Sequence, residues 1–301
     1  MKVIYFGNNV RGSTCLRYLL ANNVKVVAGI GHPLSNALWG ETVEEICLQE
    51  KIPFFQPEQV NSEYFIRVLK RFNFDIAVMS GYGKIIRSQL LELPPMGFIN
   101  LHGGSLPFYR GSSTSRWVLI NDEKIAGISI LHVDSGIDTG PILAQKEFLI
   151  ENHFDIRDII LKQLELFPPL LLDVLIKAKK QENYPVIQNI NDGIYWHSLN
   201  SDDGKIHWHR MSARQIFNII RAFTYPYSGA FSFNNGKKIY ILKSKEINES
   251  FKGFPGRICA IRDNGVVVIA RDKGILIERV KNENNQIVDA RNILKIGTYF
   301  E

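Results

Sequence analysis

The sequence predicts an α/β chain in which a parallel-rich sheet flanked by helices is followed by a small, separate β domain. Three observations carry this. Short apolar runs alternate with amphipathic helical stretches through the first half, the pattern of βαβ units. Residues 181–205 are rich in Asn, Asp, Ser and Gly, a linker composition. Beyond them lie brief β-like runs separated by Asn-Asn-Gly, Asp-Asn-Gly and Asp-Lys-Gly, turns that ask for positive φ and mark hairpins. The domains read as 1–190, a linker at 191–204, and a β domain of barrel type at 205–301.

Residues 2–6 read as a buried strand ended by Gly7, and 12–22 as a helix with Leu16, Leu19 and Leu20 on one face. Residues 24–30 form a second apolar strand. Residues 41–51 read as a helix with Val43, Ile46, Cys47 and Leu48 inward. Phe54 and Phe55 suggest a short strand, 61–71 a helix, and 75–80 another buried strand. Residues 97–101 make a short strand that ends in polar residues, 114–120 a helix, and 126–133 a strand followed by a turn-rich stretch through Gly140. A long amphipathic helix is expected over 155–178 and a further helix over 212–222. The β-like runs are 229–233, 237–242, 256–262, 265–270 and 274–280.

With 301 residues, 45% of them hydrophobic and 22% charged, the chain can bury a core without staples. Cys15, Cys47 and Cys259 are far apart and odd in number, which argues against a disulfide framework or a zinc site and for reduced thiols in the cytoplasm. The longest apolar stretch, 164–176, contains Glu165, Pro168, Pro169 and Asp173, so a membrane span is not expected. The formal charge of +6 is uneven: from Asp203 onward there are 17 Lys and Arg against 9 Asp and Glu. A basic β domain suits an anionic partner or simple solubility. A homodimer is allowed but not required.

The first turn, Gly7-Asn8-Asn9-Val10-Arg11-Gly12-Ser13, joins a strand to a helix where backbone amides can hold phosphate, with Arg11 to assist. An ordinary βα turn capped by Ser13 accounts for it equally. The stretch Asn100-Leu101-His102-Gly103-Gly104-Ser105-Leu106-Pro107-Phe108-Tyr109-Arg110-Gly111 says more. Period-two alternation puts Asn100 and His102 on one side of a strand end, where open α/β sheets place ligands. In Asp134-Ser135-Gly136-Ile137-Asp138-Thr139-Gly140-Pro141-Ile142 an acid can orient His102, while the glycines let a ligand approach the backbone.

The Asn-x-His-x-x-Ser-Leu-Pro-x-x-Arg-Gly stretch, with an Asp in Asp-Thr-Gly-Pro-Ile 36 positions after the His, resembles the formyltransferase family. The resemblance covers nearly the whole chain. It implies a Rossmann-like formyltransferase domain followed by an OB-like β domain, whose opening is similar to 208–231 here. It implies N10-formyltetrahydrofolate as formyl donor, no metal, and Asn100, His102 and Asp138 as the catalytic set. The pterin is expected between two loops: Tyr82, Gly83, Lys84, Ile85 and Ile86 on one, and Val133, Asp134 and Gly136 on the other. Core packing explains the isoleucines equally well. Arg11, Ser105, Tyr109, Arg110 and Gly111 are the expected acceptor contacts.

Two acceptors compete, an amino sugar linked to a nucleotide diphosphate and methionyl-tRNA. Relatives that act on tRNA have a longer, basic insertion where residues 31–39 are short and hold no Lys or Arg. They also usually read Arg-Gly-Ala-Ala-Pro-Ile where this chain has Arg110-Gly111-Ser112-Ser113-Thr114-Ser115. Trp117 stands where sugar-modifying relatives often have Trp, and Arg116 where they often have Asn. The short loop and Trp117 favour the nucleotide-sugar; the missing proline departs from tRNA-directed and most sugar-directed relatives alike and, with Arg116, implies an unusual acceptor; the basic β domain speaks for tRNA. A hydrolase that deformylates the folate and a folate-binding module without turnover are the readings from other classes.

Overall fold

The computed structural model describes residues 1–32, 40–282 and 284–301. The 31–39 segment expected to be short and uncharged therefore falls largely outside the described residues. The chain forms two compact units. One comprises Met1–Gly111, Ala126–Phe148 and Ile160–Trp196; the other comprises Ser112–Ile125, Leu149–Ile159 and His197–Glu301.

In the first unit, β1 (Lys2–Gly7) leads into α1 (Asn9–Ala21). Then come β2 (Lys25–Ile30), α2 (Val43–Gln49), β3 (Phe54–Phe55), α3 (Glu63–Lys70), β4 (Ile76–Ser80), α4 (Ser88–Leu91) and β5 (Phe98–His102). A short β6 (Arg110–Gly111) precedes α5 (Thr114–Ile120), which belongs to the second unit, and then β7 (Ile125–His132) and β8 (Ile142–Leu149) follow. After the long α6 (Ile156–Lys180), β9 (Tyr195–Trp196) pairs in parallel with β6. The seven-stranded sheet has the order β3-β2-β1-β4-β5-β7-β8. The pairings β2–β3, β1–β2, β1–β4 and β4–β5 are parallel, and β5–β7 is antiparallel.

The apolar runs form strands because both faces of the sheet are covered. Val3, Tyr5, Val78, Ile99 and Leu101 pack on one side with Leu16 and Leu19 of α1 and Phe167 and Leu171 of α6. Ile4, Phe6, Ala77, Met79 and Phe98 pack on the other with Phe65 and Leu69 of α3. A strand buried on both faces reads as a continuous apolar run rather than an alternating one. Helices α2 and α3 start at Thr42 and Ser62, whose hydroxyls accept the free amides of Glu45 and Phe65.

Sheet order places a switch point between β1 and β4, whose following loops leave in different directions. The Asn8 amide donates to the Ser80 carbonyl across it, at 3.1 Å. Crevices of this kind, at the carboxyl ends of parallel strands, are where open α/β sheets hold ligands.

Two expectations shift. The first helix begins at Asn9 rather than at residue 12, so Arg11, Gly12 and Ser13 lie inside it. Ser13 is not the cap but bonds back to the Val10 carbonyl. Strand β8, in a stretch for which the sequence suggests no element, is an edge strand.

The second unit holds α5, α7 (Ala213–Phe223) and a six-stranded antiparallel sheet: β10 (Ala230–Asn234), β11 (Lys237–Glu246), β12 (Ile258–Arg262), β13 (Gly265–Ile269), β14 (Gly274–Lys281) and β15 (Ile287–Asp289). The order is β10-β11-β14-β13-β12, with β15 on β14. The hairpin signals act as expected: Asn235 and Gly236, at φ 51° and 72°, turn β10 into β11. Phe300 bridges to Asn234 and Tyr299 to Arg257, so the C-terminal segment links the two edges of the sheet, as barrel closure requires.

Candidate active site

Strand β5 ends at the carboxyl edge of the parallel sheet, and its last residues point polar groups out of an apolar strand. Asn100 pairs in register with Met79 on β4 and with Leu131 on β7, and His102 lies opposite Ser129. Asp138 sits on the loop between β7 and β8 and has left-handed backbone geometry at φ 54°. Asp and Asn adopt that geometry more easily than other residues with a side chain.

The three side chains meet. Asp138 Oδ2 lies 3.4 Å from His102 Nδ1 and accepts the Gly111 amide at 2.9 Å. Its Oδ1 accepts Asn100 Nδ2 at 3.4 Å. His102 is buried, and its Nε2 lies 2.5 Å from the Tyr109 carbonyl. Both ring nitrogens thus face acceptor oxygens, and a neutral ring can donate to one of them at a time.

The Gly-rich loop allows this crowding. A Cβ on Gly104 would lie 2.6 Å from the Tyr109 carbonyl and 3.0 Å from His102 Nε2. Gly111, at φ 91°, brings its amide to Asp138 and leaves no room for a side chain against the Trp196 backbone.

The expected acceptor contacts part company. Tyr109 stacks on Trp196, with centroids 5.5 Å apart and planes 13° apart. Ser105 Oγ donates to Glu147 at 3.2 Å. Gly111 is at the centre itself. Arg110, by contrast, is 0% exposed. Its Nε and Nη2 donate to Gln188 Oε1 at 3.2 and 2.9 Å, and its guanidinium lies 5.6 Å from the Tyr195 ring centroid. It fastens the Gly-rich loop to the 188–196 segment from inside and does not reach into a pocket for a diphosphate. Arg11 is likewise engaged: Nη2 donates to Gln163 at 2.6 Å and the guanidinium lies over Phe167.

The two expected folate loops also differ residue by residue. Gly83 faces open space and Ile85 is 73% exposed, so this loop offers a bare backbone and an apolar wall. Ile86 and Tyr82 are buried; Tyr82 packs edge-on against Phe6, and burial pushes its phenol up to about 12. The Tyr82 hydroxyl has no hydrogen-bond partner among the described residues. Lys84 Nζ donates to the Pro57 and Glu58 carbonyls, holding the loop rather than reaching out of it. On the other loop, Val133 packs against the cluster that includes Tyr82 and Ile86. Asp134 Oδ1 accepts the Gly136 amide and the Thr139 hydroxyl, while Ile137 is exposed. Exposed Ile85 and Ile137, with open space beside Gly83, could take a flat, amide-bearing ring.

The motifs did not point to Gln188 or Trp196. Gln188 Nε2 donates to the Asp138 carbonyl at 3.0 Å and to the Gly140 carbonyl at 2.6 Å, so one side chain ties the Asp138 loop to Arg110. Both lie in a stretch with little regular structure, and no local signal marks them. Among the described residues, no group of three or more His, Cys, Asp and Glu could hold a metal ion, and no helix is long and apolar enough to cross a membrane. The three cysteines are free.

Residues 19–175 match the family model described as formyl transferase, and residues 198–297 match its C-terminal domain. A methionyl-tRNA formyltransferase of Thermodesulfovibrio yellowstonii is 32% identical over 97% of this chain and 94% of that protein. The bifunctional polymyxin resistance protein ArnA of Wigglesworthia glossinidia brevipalpis is 34% identical over 99% of this chain, which spans only 45% of ArnA. Among solved structures, an N-formyltransferase from Helicobacter canadensis in complex with folinic acid and dTDP-3-aminofucose aligns with a TM-score of 0.73 at 22% identity, over 92% of this chain and 99% of that one. HypX from Aquifex aeolicus, in complex with tetrahydrofolic acid, aligns at 0.69 and 16% identity over 98% of this chain, which spans about half (47%) of HypX. At these identities the structural matches speak for the fold alone, whereas the sequence matches across both units settle the family. The chain belongs to the formyl transferase family, enzymes whose formyl donor is N10-formyltetrahydrofolate.

Proposed function

We propose that this enzyme formylates the amine of a nucleotide-linked amino sugar and that Asn100, His102 and Asp138 form its reaction centre. The observation behind the second part is the convergence of these three side chains with the Gly111 amide at the carboxyl edge of the sheet. A neutral amine attacks the formyl carbon, a C–N bond forms, and the carbonyl oxygen becomes an oxyanion. Asn100 Nδ2 makes only a 3.4 Å contact with Asp138 and can turn to donate to that oxyanion. His102 stabilises the charge that develops. The proton lost by the amine passes, directly or through water, to the Asp138–His102 pair and on to N10 as the bond from formyl carbon to N10 breaks. Tetrahydrofolate and the formamide leave.

The sugar acceptor is supported by the short 31–39 segment without Lys or Arg and by Trp117. The Tyr109–Trp196 stack offers a rigid aromatic face on which a sugar or base can lie. The Helicobacter canadensis enzyme shows that the fold can serve such an acceptor. Methionyl-tRNA is the second reading, favoured by the 32% identity with the Thermodesulfovibrio enzyme and by the basic β unit.

The test is a formyl-transfer assay with N10-formyltetrahydrofolate against UDP- and dTDP-linked amino sugars, beside uncharged and methionine-charged initiator tRNA, with products read by mass. One formyl group gained on a nucleotide-sugar is the expected result. Formylation of Met-tRNA alone overturns the sugar reading, and folate release without any amine points to a hydrolase.

A further inference from the structure

The segment 186–196 crosses both loops of the reaction centre. At one end the Val186 amide and carbonyl bond to those of Ile142, just past the Asp138 loop, both at 2.8 Å. At the other end the Arg110 amide donates to the Ile194 carbonyl at 3.0 Å and the Ile194 amide to the Pro107 carbonyl at 3.2 Å. Trp196 Nε1 adds a bond to the Phe108 carbonyl at 3.1 Å. Between these anchors stands Gln188, only 7% exposed.

A primary amide offers two N–H donors and an oxygen with two lone pairs. Gln188 uses all four. Its Nε2 donates to the carbonyls of Asp138 and Gly140 at 3.0 and 2.6 Å, and its Oε1 accepts Arg110 Nε and Nη2 at 3.2 and 2.9 Å. These partners fix which way the amide faces: turned over, it would set an NH2 against a guanidinium and an oxygen against two carbonyls. The bonds also close a ring. Gln188 holds the Asp138 backbone, Arg110 holds Gln188, and Gly111, the residue after Arg110, donates its amide to Asp138 Oδ2 at 2.9 Å. Asp138 is thus tied at its carbonyl and at its carboxylate into one circuit, on a loop with neither helix nor strand. The 3.4 Å approach of that carboxylate to His102 Nδ1 follows from where the ring holds it. Other side chains cannot close the ring. Ionised glutamate accepts but does not donate, and asparagine is one methylene shorter.

We propose that Gln188 is a positioning residue for the reaction, setting the Asp138 carboxylate against His102 through its bonds to the Asp138 and Gly140 carbonyls. This rests on the reading that Asp138 takes part in formyl transfer, and it is independent of which amine accepts the formyl group.

The test compares the full chain with Q188E, D138N and the double variant Q188E/D138N. Turnover of N10-formyltetrahydrofolate is followed with whichever acceptor of the panel takes the formyl group, or as folate release if none does. Melting temperatures are taken alongside. The ¹⁵N resonance of His102 Nδ1 is read in histidine-labelled protein and assigned with H102Q. Glutamate at 188 keeps an acceptor for Arg110 but loses the donors to the Asp138 loop, so Q188E should stay folded and melt within about 4 °C of the unaltered chain. Its kcat should fall about 10–10²-fold, the scale of a misplaced reacting group, with each KM within about twofold. The His102 resonance should move. In the D138N background the same substitution should cost less than about twofold, because a residue that acts through Asp138 has nothing left to position. A kcat of Q188E within twofold of normal, a loss carried by KM, an unmoved His102 resonance, or a loss of equal size in both backgrounds overturns the proposal. Should Q188E fail to fold, Q188N takes its place in the same cycle, since the shorter amide cannot reach all four partners. Slow D138N beside a fast Q188E sinks this proposal alone, whereas full turnover by D138N removes the reading on which it rests.

Discussion

Each unit of the molecule gathers donors around one aspartate, and the two gatherings differ in kind. In the first unit Asp138 accepts from a backbone amide at 2.9 Å and from Asn100 and faces His102, both at 3.4 Å. In the second, Asp122 Oδ1 accepts Arg214 Nη2 at 2.5 Å, Arg214 Nε at 3.0 Å and Lys124 at 3.2 Å, with Arg221 Nη2 at 3.5 Å. Burial works against ionisation of Asp122, but the hydrogen bonds from Arg214 and Lys124 outweigh it and hold the carboxyl at about 2. Burial and the neighbouring Arg214 bring Arg221 down to about 10. Short bonds from cations spend the oxygen lone pairs on holding position. Longer contacts with an amide and an imidazole leave a carboxylate whose partners can be exchanged during a reaction. The comparison teaches that a carboxylate is a candidate for chemistry when its side-chain partners, here an amide and an imidazole at 3.4 Å, are loosely set, and a fastener when they are cations drawn in close.

The largest way to break this contrast is Asp138→Asn. The shape survives, but His102 loses its carboxylate and meets an amide, so kcat should fall by about 10³–10⁴-fold with little change in melting temperature. Near-normal turnover in single-turnover assays would remove Asp138 from the reaction. Asn100→Ala should cost about 10²–10³-fold in kcat, the scale of one lost oxyanion donor, while KM for the folate donor stays nearly constant; a rise in that KM with kcat unchanged would make Asn100 a binding residue instead.

Asp122→Asn should act in the opposite way, leaving kcat within about twofold and lowering the melting temperature by about 2–4 °C, since its partly exposed ion pairs are discounted by solvent. The smallest effect sharpens the comparison through pH. A carboxyl held below its ordinary value adds stability above that value and loses it as pH falls through the folded value. The gap in stability between the unaltered chain and Asp122→Asn should therefore stay constant from pH 7 to 5 and close between about pH 4 and 2. A gap that closes near pH 6 would assign the stabilisation to another group.

Much of this architecture was legible because it rests on local signals. The apolar runs of β1, β2, β4 and β5 announced a doubly covered sheet, and Asn-Gly turns announced the hairpins of the second unit. Strand β8 escaped because an edge strand with Gln145, Lys146 and Glu147 at its centre presents little apolar periodicity. The start of α1 was misplaced because Gly12 and Ser13 look like punctuation, whereas the helix begins after Asn8 with no side-chain cap. At the site, Asn100 and His102 could be paired by strand alternation and Asp138 by its motif. Arg110 could not be read correctly: nothing local tells an arginine in a Gly-rich loop that Gln188, 78 positions later, will accept it in the interior. Gln188 and Trp196 were invisible for the same reason, since their roles exist only once distant segments have met.

The backbone at Asp138, at φ 54°, has a consequence for how this enzyme can change over generations. Glycine, asparagine and aspartate are the residues that tolerate that conformation readily, and of these only aspartate carries a charge. Drift at this position therefore has few destinations that keep the loop at ease, and each of them silences the charge. With the role proposed for Asp138, a lineage that abandoned formyl transfer while keeping the protein for another purpose would be expected to show Asn or Gly here, a scar readable from one codon.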